Sequence, residues 1–313
     1  MRRLKILTWH THGSYLYYLS HVPHDFYVIS KPGRPPGYGG RCGSLRWGSN
    51  VHDQPAATLK GRRFDCVLYQ DDPQYLEDRY QMLDDDQQKL PSIYIEHDPP
   101  REHPTDTRHL VSDTSVLLVH VTPFNALMWD SGHTPVRVIE HGVPLPDYRW
   151  TGDLKRGVVV INQLSQRGRR LGSDIFLQAR EIVPLDLLGM GNAALGGQGE
   201  VPLDAMPSLC ARYRFFFHPA RYTSLGLAVI EAMMMGMPIV ALATTEMSMI
   251  IEDGVHGYLN TNPDRLIEGM QDLLGNHGLA QRMGEDARKQ AQQRFRIERF
   301  VSDWDRLLKE VAG

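Results

Sequence analysis

The sequence predicts an α/β protein of two domains, each a parallel sheet with helices on both faces. Short apolar runs recur at Lys5 to Trp9, Phe26 to Ser30, Phe64 to Gln70, Ser92 to Glu96, Val116 to Val121 and Val136 to Glu140, separated by segments long enough for helices. The pattern then restarts beyond PLPDYRWTGDLK (Pro144 to Lys155), which lacks an apolar period, contains two prolines and reads as a linker. A length of 313 residues suits two domains of about 150 residues each. The expected divisions are 1–148, 149–294 and a terminal helix over 295–313.

In the first half, KILTW runs into the glycine-containing turn HTHGSY and then YLYYLSHV, a strand, loop and helix opening. The start lacks the uninterrupted apolar core of a signal peptide and reads as a first strand. Lys31 to Pro55 is rich in Gly and Pro and carries the cations Lys31, Arg34, Arg41 and Arg46, so it reads as a long loop. It is either an acceptor-holding element, suited to a phosphate or anionic lipid headgroup, or a solvated loop. The FDCVLYQ strand ends at Asp71 and Asp72, which could hold a divalent metal, although strand-to-helix loops routinely end in Asp and Pro73 starts the turn. Asp84 to Asp86 fits a solvated helix end. Ligands of parallel sheets sit at the carboxyl ends of the strands, which singles out His10, His12, His97 and His141.

The second half opens on VVVIN (Val158 to Asn162), followed by the basic loop QLSQRGRRLG, a helix from Ser173 to Ile182, the strand Leu185 to Leu188 and the glycine-rich turn GMGNAALGGQGEV. RFFFH (Arg214 to His218) feeds HPARYTSLGLAVIEAMMMGMPIV. From Leu225 to Met235 this stretch is apolar almost all round, so a buried helix is expected, with Glu231 alone in its middle. A buried carboxylate needs a cation or hydroxyl donors from a ligand. Thr223 and Ser224 read as the N-cap, and unsatisfied N–H groups at the helix start suit a phosphate. A ligand with phosphates and vicinal hydroxyls, a nucleotide sugar, satisfies both ends. Gly254 to Leu259 is a turn and short strand, Leu266 to Leu274 and Leu279 to Arg294 are helical by spacing, and the last helix carries Phe300, Trp304, Leu307 and Leu308 on one side.

A net charge of −3 with interspersed signs excludes the basic field of a dedicated nucleic-acid binder. Three cysteines without paired spacing indicate neither a disulfide framework nor a zinc site, and point to a reducing cytosol. No stretch approaches the roughly 20 apolar residues of a membrane span, so any membrane contact must be peripheral.

The second half resembles the C-terminal half of the retaining family 4 glycosyltransferases of the GT-B fold over nearly its whole length. The matching parts are Arg167-Gly168 in the basic loop, the GMG turn, LGLAVIEAMMMGMPIVA and DGVHGYL. In the first half, IEHGVP is similar to the family's interdomain hinge. The resemblance implies two Rossmann-like domains facing across a cleft, with the last helix crossing back to the first. It implies transfer of a sugar from a nucleotide-sugar donor to a hydroxyl of a glycan, glycolipid or small-molecule acceptor, with retention and with neither metal nor cofactor. Donor binding would fall to Asn162, Arg167, Gly189, Gly191, Arg221, Thr223, Ser224, Leu225, Gly226 and Glu231. Catalysis would fall to His97, Asp98 and Arg167, and the acceptor side to His12, Gly13, Arg34 and Arg41. Two residues depart from the family pattern: Thr223 stands where a sugar-contacting glutamate is usual, and Asn162 where an arginine is usual. Two rivals share the nucleotide site, a GT-B-fold sugar-nucleotide epimerase and a non-catalytic nucleotide-sugar or glycan-binding protein. By analogy the family suggests a cytoplasmic place, peripheral at the inner membrane face, in the assembly of a bacterial surface polysaccharide or glycolipid.

Overall fold

A computed structural model describes residues 2–11, 13–43 and 45–313. The chain divides into two compact units, Met1–Gly142 with Ile297–Gly313, and Val143–Arg296.

The first unit is a seven-stranded sheet of β1 (Lys5–Thr8), β2 (Asp25–Ser30), β3 (Val51–Pro55), β4 (Cys66–Tyr69), β5 (Ser92–Glu96), β6 (Val116–His120) and β7 (Val136–Val138). Its spatial order is β3-β2-β1-β4-β5-β6-β7, and every pair is parallel. Every residue of β4 and β5 is buried, which is why β4 and the centre of β5 read as apolar runs. The segment expected as loop to Pro55 instead ends in β3. An edge strand has one hydrogen-bonded neighbour and one wet side, so VHDQP can be polar and still pair with β2. From within β3 the Asp53 carboxylate reaches the segment ahead of it, accepting from Arg34 Nη2 at 3.1 Å and from the Arg41 amide at 2.6 Å. Gly40, at φ +59°, allows this: a Cβ there would lie 1.9 Å from Asp53 Oδ1. The last helix, Ile297–Ala312, packs into this unit through Phe300, Trp304, Leu307 and Leu308, and Arg299 donates to the carbonyls of Glu140, at 2.9 Å, and His141.

The second unit holds β8 (Leu154–Val160), β9 (Leu185–Leu188), β10 (Tyr213–His218), β11 (Ile239–Leu242) and β12 (Gly257–Asn260), in the order β12-β11-β10-β8-β9, again all parallel. Phe215 and Phe217 on β10 fill its core together with Val159, Leu187 and Met270. Helix His277–Arg294 crosses helix Leu227–Met235 where Gly284 meets Gly236; a Cβ on Gly284 would lie 1.9 Å from the Gly236 carbonyl oxygen. In each unit the winding reverses direction at one strand pair, β1/β4 and β8/β10, and a crevice opens at the carboxyl ends of such a pair. No helix among the described residues is long and apolar enough to cross a membrane.

Candidate functional site

In the second unit the switch point gathers the loops after β8, β9 and β10. The helix after β10 spans Leu227–Met235, and its N-cap is Gly226, in extended conformation with no side-chain cap, rather than Thr223 or Ser224. The cap moves because the preceding loop is tied elsewhere. The amides of Arg221 and Tyr222 both donate to the Arg170 carbonyl, at 2.9 and 3.1 Å, and Thr244 Oγ1 donates to the Ala220 carbonyl at 3.1 Å. Thr223 therefore lies half-buried in the loop, with Ser224 and Leu225 buried beside it. A Cβ on Gly226 would meet nothing within 4 Å, so the approach to the first helical N–H groups is open.

The helix is not buried on every side. Val229, Ile230 and Ala232 to Met235 are buried, while Leu227, Ala228 and Glu231 are only half-buried. Those three share one face at i, i+1 and i+4 spacing, so the Glu231 carboxylate stands on an accessible stripe of an otherwise enclosed helix. The apolar residues concealed this because Leu227 and Ala228 are as apolar as the core they leave.

The GMG turn closes the other side. Gly189 has φ +124°, and a Cβ there would lie 2.6 Å from the Ile161 carbonyl oxygen; Gly191 has φ +70°. Asn162 Oδ1 accepts from the Met190 amide at 2.9 Å, and the Gln163 amide donates to the Met190 carbonyl at 2.7 Å. Buried Asn192 completes the joint: its Oδ1 accepts from the Leu164 amide at 2.8 Å, and its Nδ2 donates to the carbonyls of Ile161 at 2.6 Å and Gly189 at 3.1 Å. Sequence reasoning missed Asn192; an amide directly after GMG was the available signal. It also missed Glu246, which is buried in the loop after β11 with Arg294 Nη2 at 3.4 Å.

Arg167 is half-buried at the end of the short helix Leu164–Arg167. Arg221 forms a two-pronged ion pair with Asp174, Nη1 to Oδ1 at 2.6 Å and Nη2 to Oδ2 at 2.8 Å, and also donates to the Arg169 carbonyl at 2.7 Å. Arg221, with Arg169 beyond it, holds the Asp174 carboxyl below the usual carboxylate range. The Arg221 guanidinium thus braces the loop against the helix Ser173–Arg180. At the end of β10, burial pushes His218 down to about 4, so its imidazole is neutral.

In the first unit, the ends of β1 and β4 are joined by Gln70, whose Nε2 donates to Thr8 Oγ1 at 3.2 Å and to the Trp9 carbonyl at 2.8 Å. His97 and Asp98 follow β5. The His97 ring packs against Tyr15, centroids 4.6 Å apart. The Asp98 carboxylate pairs with Arg101, and Asp72 Oδ1 accepts from Tyr94 Oη at 2.8 Å. Arg34 is ion-paired to Asp53 and Arg41 is exposed. Gly13 opens the helix Gly13–Leu19, and His12 lies outside the described residues. Among the described residues no three His, Cys, Asp or Glu side chains converge as a metal site requires.

Two Rossmann-like units of parallel strands, each with a strand-end switch point, make this a fold of the GT-B class. Solved structures agree. The chain is similar to sucrose-phosphate synthase from Thermosynechococcus elongatus at TM-score 0.70 and 14% identity, covering 99% of each chain. It is similar to HepE from Anabaena, solved in complex with UDP, at TM-score 0.67 and 12% identity, covering 99% of this chain and 100% of that one. At such identities the likeness is one of fold. Residues 193–290, the segment that carries Thr223 and Glu231, match the family of glycosyl transferases group 1. That segment is about a third of the chain. The chain is also 26% identical over 116 residues to an uncharacterized glycosyltransferase of Methanocaldococcus jannaschii, a match spanning 36% of this chain and 33% of that relative's length.

Proposed function

We propose that this protein transfers a sugar from a nucleotide-sugar donor to a hydroxyl of a glycan, glycolipid or small-molecule acceptor, with retention and without a metal. The observation that carries the reading is the accessible stripe at Leu227, Ala228 and Glu231, directly after an uncapped helix start at a topological switch point. Vicinal ribose hydroxyls donate to Glu231, and the diphosphate lies against the amides from Thr223 to Gly226 with the charge of Arg167. Preorganised donors of this kind each contribute on the order of 3 kcal/mol to stabilising a leaving group. Asn162, Gly189 and Gly191 form the backbone wall of the donor pocket, and Arg221 holds the 219–226 loop in shape through Asp174. On the first unit His97 and Asp98 act at the reacting centre, with His12, Gly13, Arg34 and Arg41 on the acceptor side. The HepE structure contains UDP, which makes uridine the first base to test.

Thr223 favours a second reading, a nucleotide-sugar-binding protein without turnover, because a threonine cannot supply the charge of the family's glutamate. A thermal-shift panel of UDP-, GDP- and ADP-sugars, followed by product analysis with and without acceptors, separates the readings. A ligand at a hundred times its dissociation constant raises stability by about 2.7 kcal/mol. A panel with no shift for any donor refutes both readings. Epimerised donor formed in the absence of acceptor would replace transfer by epimerisation.

A further inference from the structure

The turn that carries His97 and Asp98 is held by two side chains, Glu96 and Trp129, and a third, His109, lies against both. We propose that Glu96, His109 and Trp129 are positioning residues, a single hydrogen-bond relay that fixes the Asp98 peptide at both ends and thereby the aim of the His97 imidazole. The proposal rests on the reading of His97 and Asp98 as groups at the reacting centre.

Glu96 closes β5 with its carboxylate turned inward. Its Oε1 accepts from the Asp98 amide at 2.8 Å, and its Oε2 faces His109 Nε2 at 3.0 Å. The tautomer of His109 follows from its other nitrogen. Nδ1 lies 3.0 Å from the Val111 amide, which can only donate, so Nδ1 carries the lone pair and Nε2 the proton, and that proton points at Glu96. From the far side Trp129 Nε1 donates to the Asp98 carbonyl at 2.8 Å, while its indole packs against His109 with ring centroids 4.8 Å apart. The N–H and C=O of Asp98 are thus held by two side chains joined through a third.

Stability alone does not call for this arrangement. A buried carboxylate is costly: burial raises Glu96 above its ordinary range, against the opposing pull of His109 and the Asp98 amide. Apolar residues of similar volume commonly serve a core as well or better. A relay that ends on both sides of one half-buried turn is the pattern expected of a group that must be aimed, where a misplacement of about 1 Å costs a hundredfold in rate.

Trp129→Phe keeps a ring against His109 and deletes one N–H. Glu96→Gln keeps an acceptor for the Asp98 amide but turns an NH2 toward the His109 proton. With UDP-glucose as the donor probe, each is expected to lower kcat about tenfold or more while the KM for UDP-glucose changes less than about twofold. His109→Gln, which restores a donor toward Glu96, is expected to recover most of the rate lost in His109→Ala. Histidine 15N spectra of the same proteins give a readout that needs no turnover: the His97 ring resonances shift or broaden in Trp129→Phe and Glu96→Gln. Unchanged His97 resonances in both variants, or unchanged kcat in both beside an active wild type, overturns the proposal. A wild type that turns over no donor refutes the functional reading instead, and the His97 spectra then decide the positioning by themselves.

Discussion

Replacing Glu231 by alanine separates binding from folding at one residue. Glu231 is half-buried on the accessible stripe of helix Leu227–Met235, so its removal leaves no enclosed cavity, and alanine is the stronger helix former by a few tenths of a kcal/mol. Global stability is therefore expected to fall by no more than about 1.5 kcal/mol, the order of one half-buried polar contact. Binding is a different matter. Hydrogen bonds to a charged acceptor contribute about 1.5–3 kcal/mol each. Loss of the Glu231 contacts to the ribose hydroxyls is then expected to weaken UDP by about tenfold to a hundredfold, at 1.4 kcal/mol per decade. Isothermal titration with UDP measures this directly, and chemical denaturation of the same protein checks the fold. Glu231→Gln, which keeps one neutral acceptor, is expected to fall between the two. A dissociation constant unchanged in Glu231→Ala would remove Glu231 from the nucleotide site.

Three further outcomes follow from the geometry. Gly172 has φ +79° and a Cβ there would lie 2.0 Å from the Pro219 carbonyl oxygen. Gly172→Ala is expected to cost about 2–4 kcal/mol from left-handed strain and overpacking, and to weaken UDP by displacing the 219–226 loop; denaturation and titration test each part. Asp174→Ala removes two partly exposed ion pairs, to Arg221 and Arg169, each worth at most about 1 kcal/mol, so stability is expected to fall by less than about 2 kcal/mol, while the Arg221 and Tyr222 amides exchange hydrogen faster. Unchanged exchange would show that Arg221 does not brace the loop. Burial holds His120 near 3 and His218 near 4, against 6.5 in the unfolded chain. Both are neutral in the fold and protonate on unfolding, so stability is full above about 6.5 and falls on acidification at about 1.4 kcal/mol per pH unit for each. Urea denaturation between pH 7 and 5 is expected to show the fall, and His120→Asn to reduce its slope; an unaltered slope refutes the assignment to His120.

The two sheets were legible because strands buried on both faces must be largely apolar, as CVLY and the IYI centre of SIYIE are. Glu231 was legible as the one acid in an apolar helix, and the glycines of the GMG turn as residues spaced for a tight strand-end turn. What was hidden depends on partners distant in sequence. β3 is polar because it lies at an edge, and no local pattern announces that Asp53 will gather Arg34 and the Arg41 amide. Arg221 reads from the sequence as a donor-binding cation, and nothing local shows that its partner is Asp174, 47 positions earlier. The helix starts at Gly226 rather than at Thr223, after a segment whose Arg221 and Tyr222 amides are held by the carbonyl of Arg170, about 50 positions earlier.

These hidden partners bear on what the second unit can recognise. The contacts that shape its switch point run through backbone: Gly189 against Ile161, the Met190 peptide held by Asn162 and Gln163, the Arg221 and Tyr222 amides on Arg170. Such a frame is set before any ligand arrives and suits a diphosphate and ribose, which differ little from one nucleotide sugar to the next. The side chains that the proposed reading sets toward the sugar are of another kind. Arg221 is committed to Asp174, and Thr223 is short and uncharged where the family's glutamate would reach a sugar hydroxyl. On the proposed reading, a change at Thr223 is expected to alter which donor is used while leaving the affinity for UDP close to that of the wild type, whereas loss of Arg221 frees the 219–226 loop from Asp174 and is expected to weaken UDP as well.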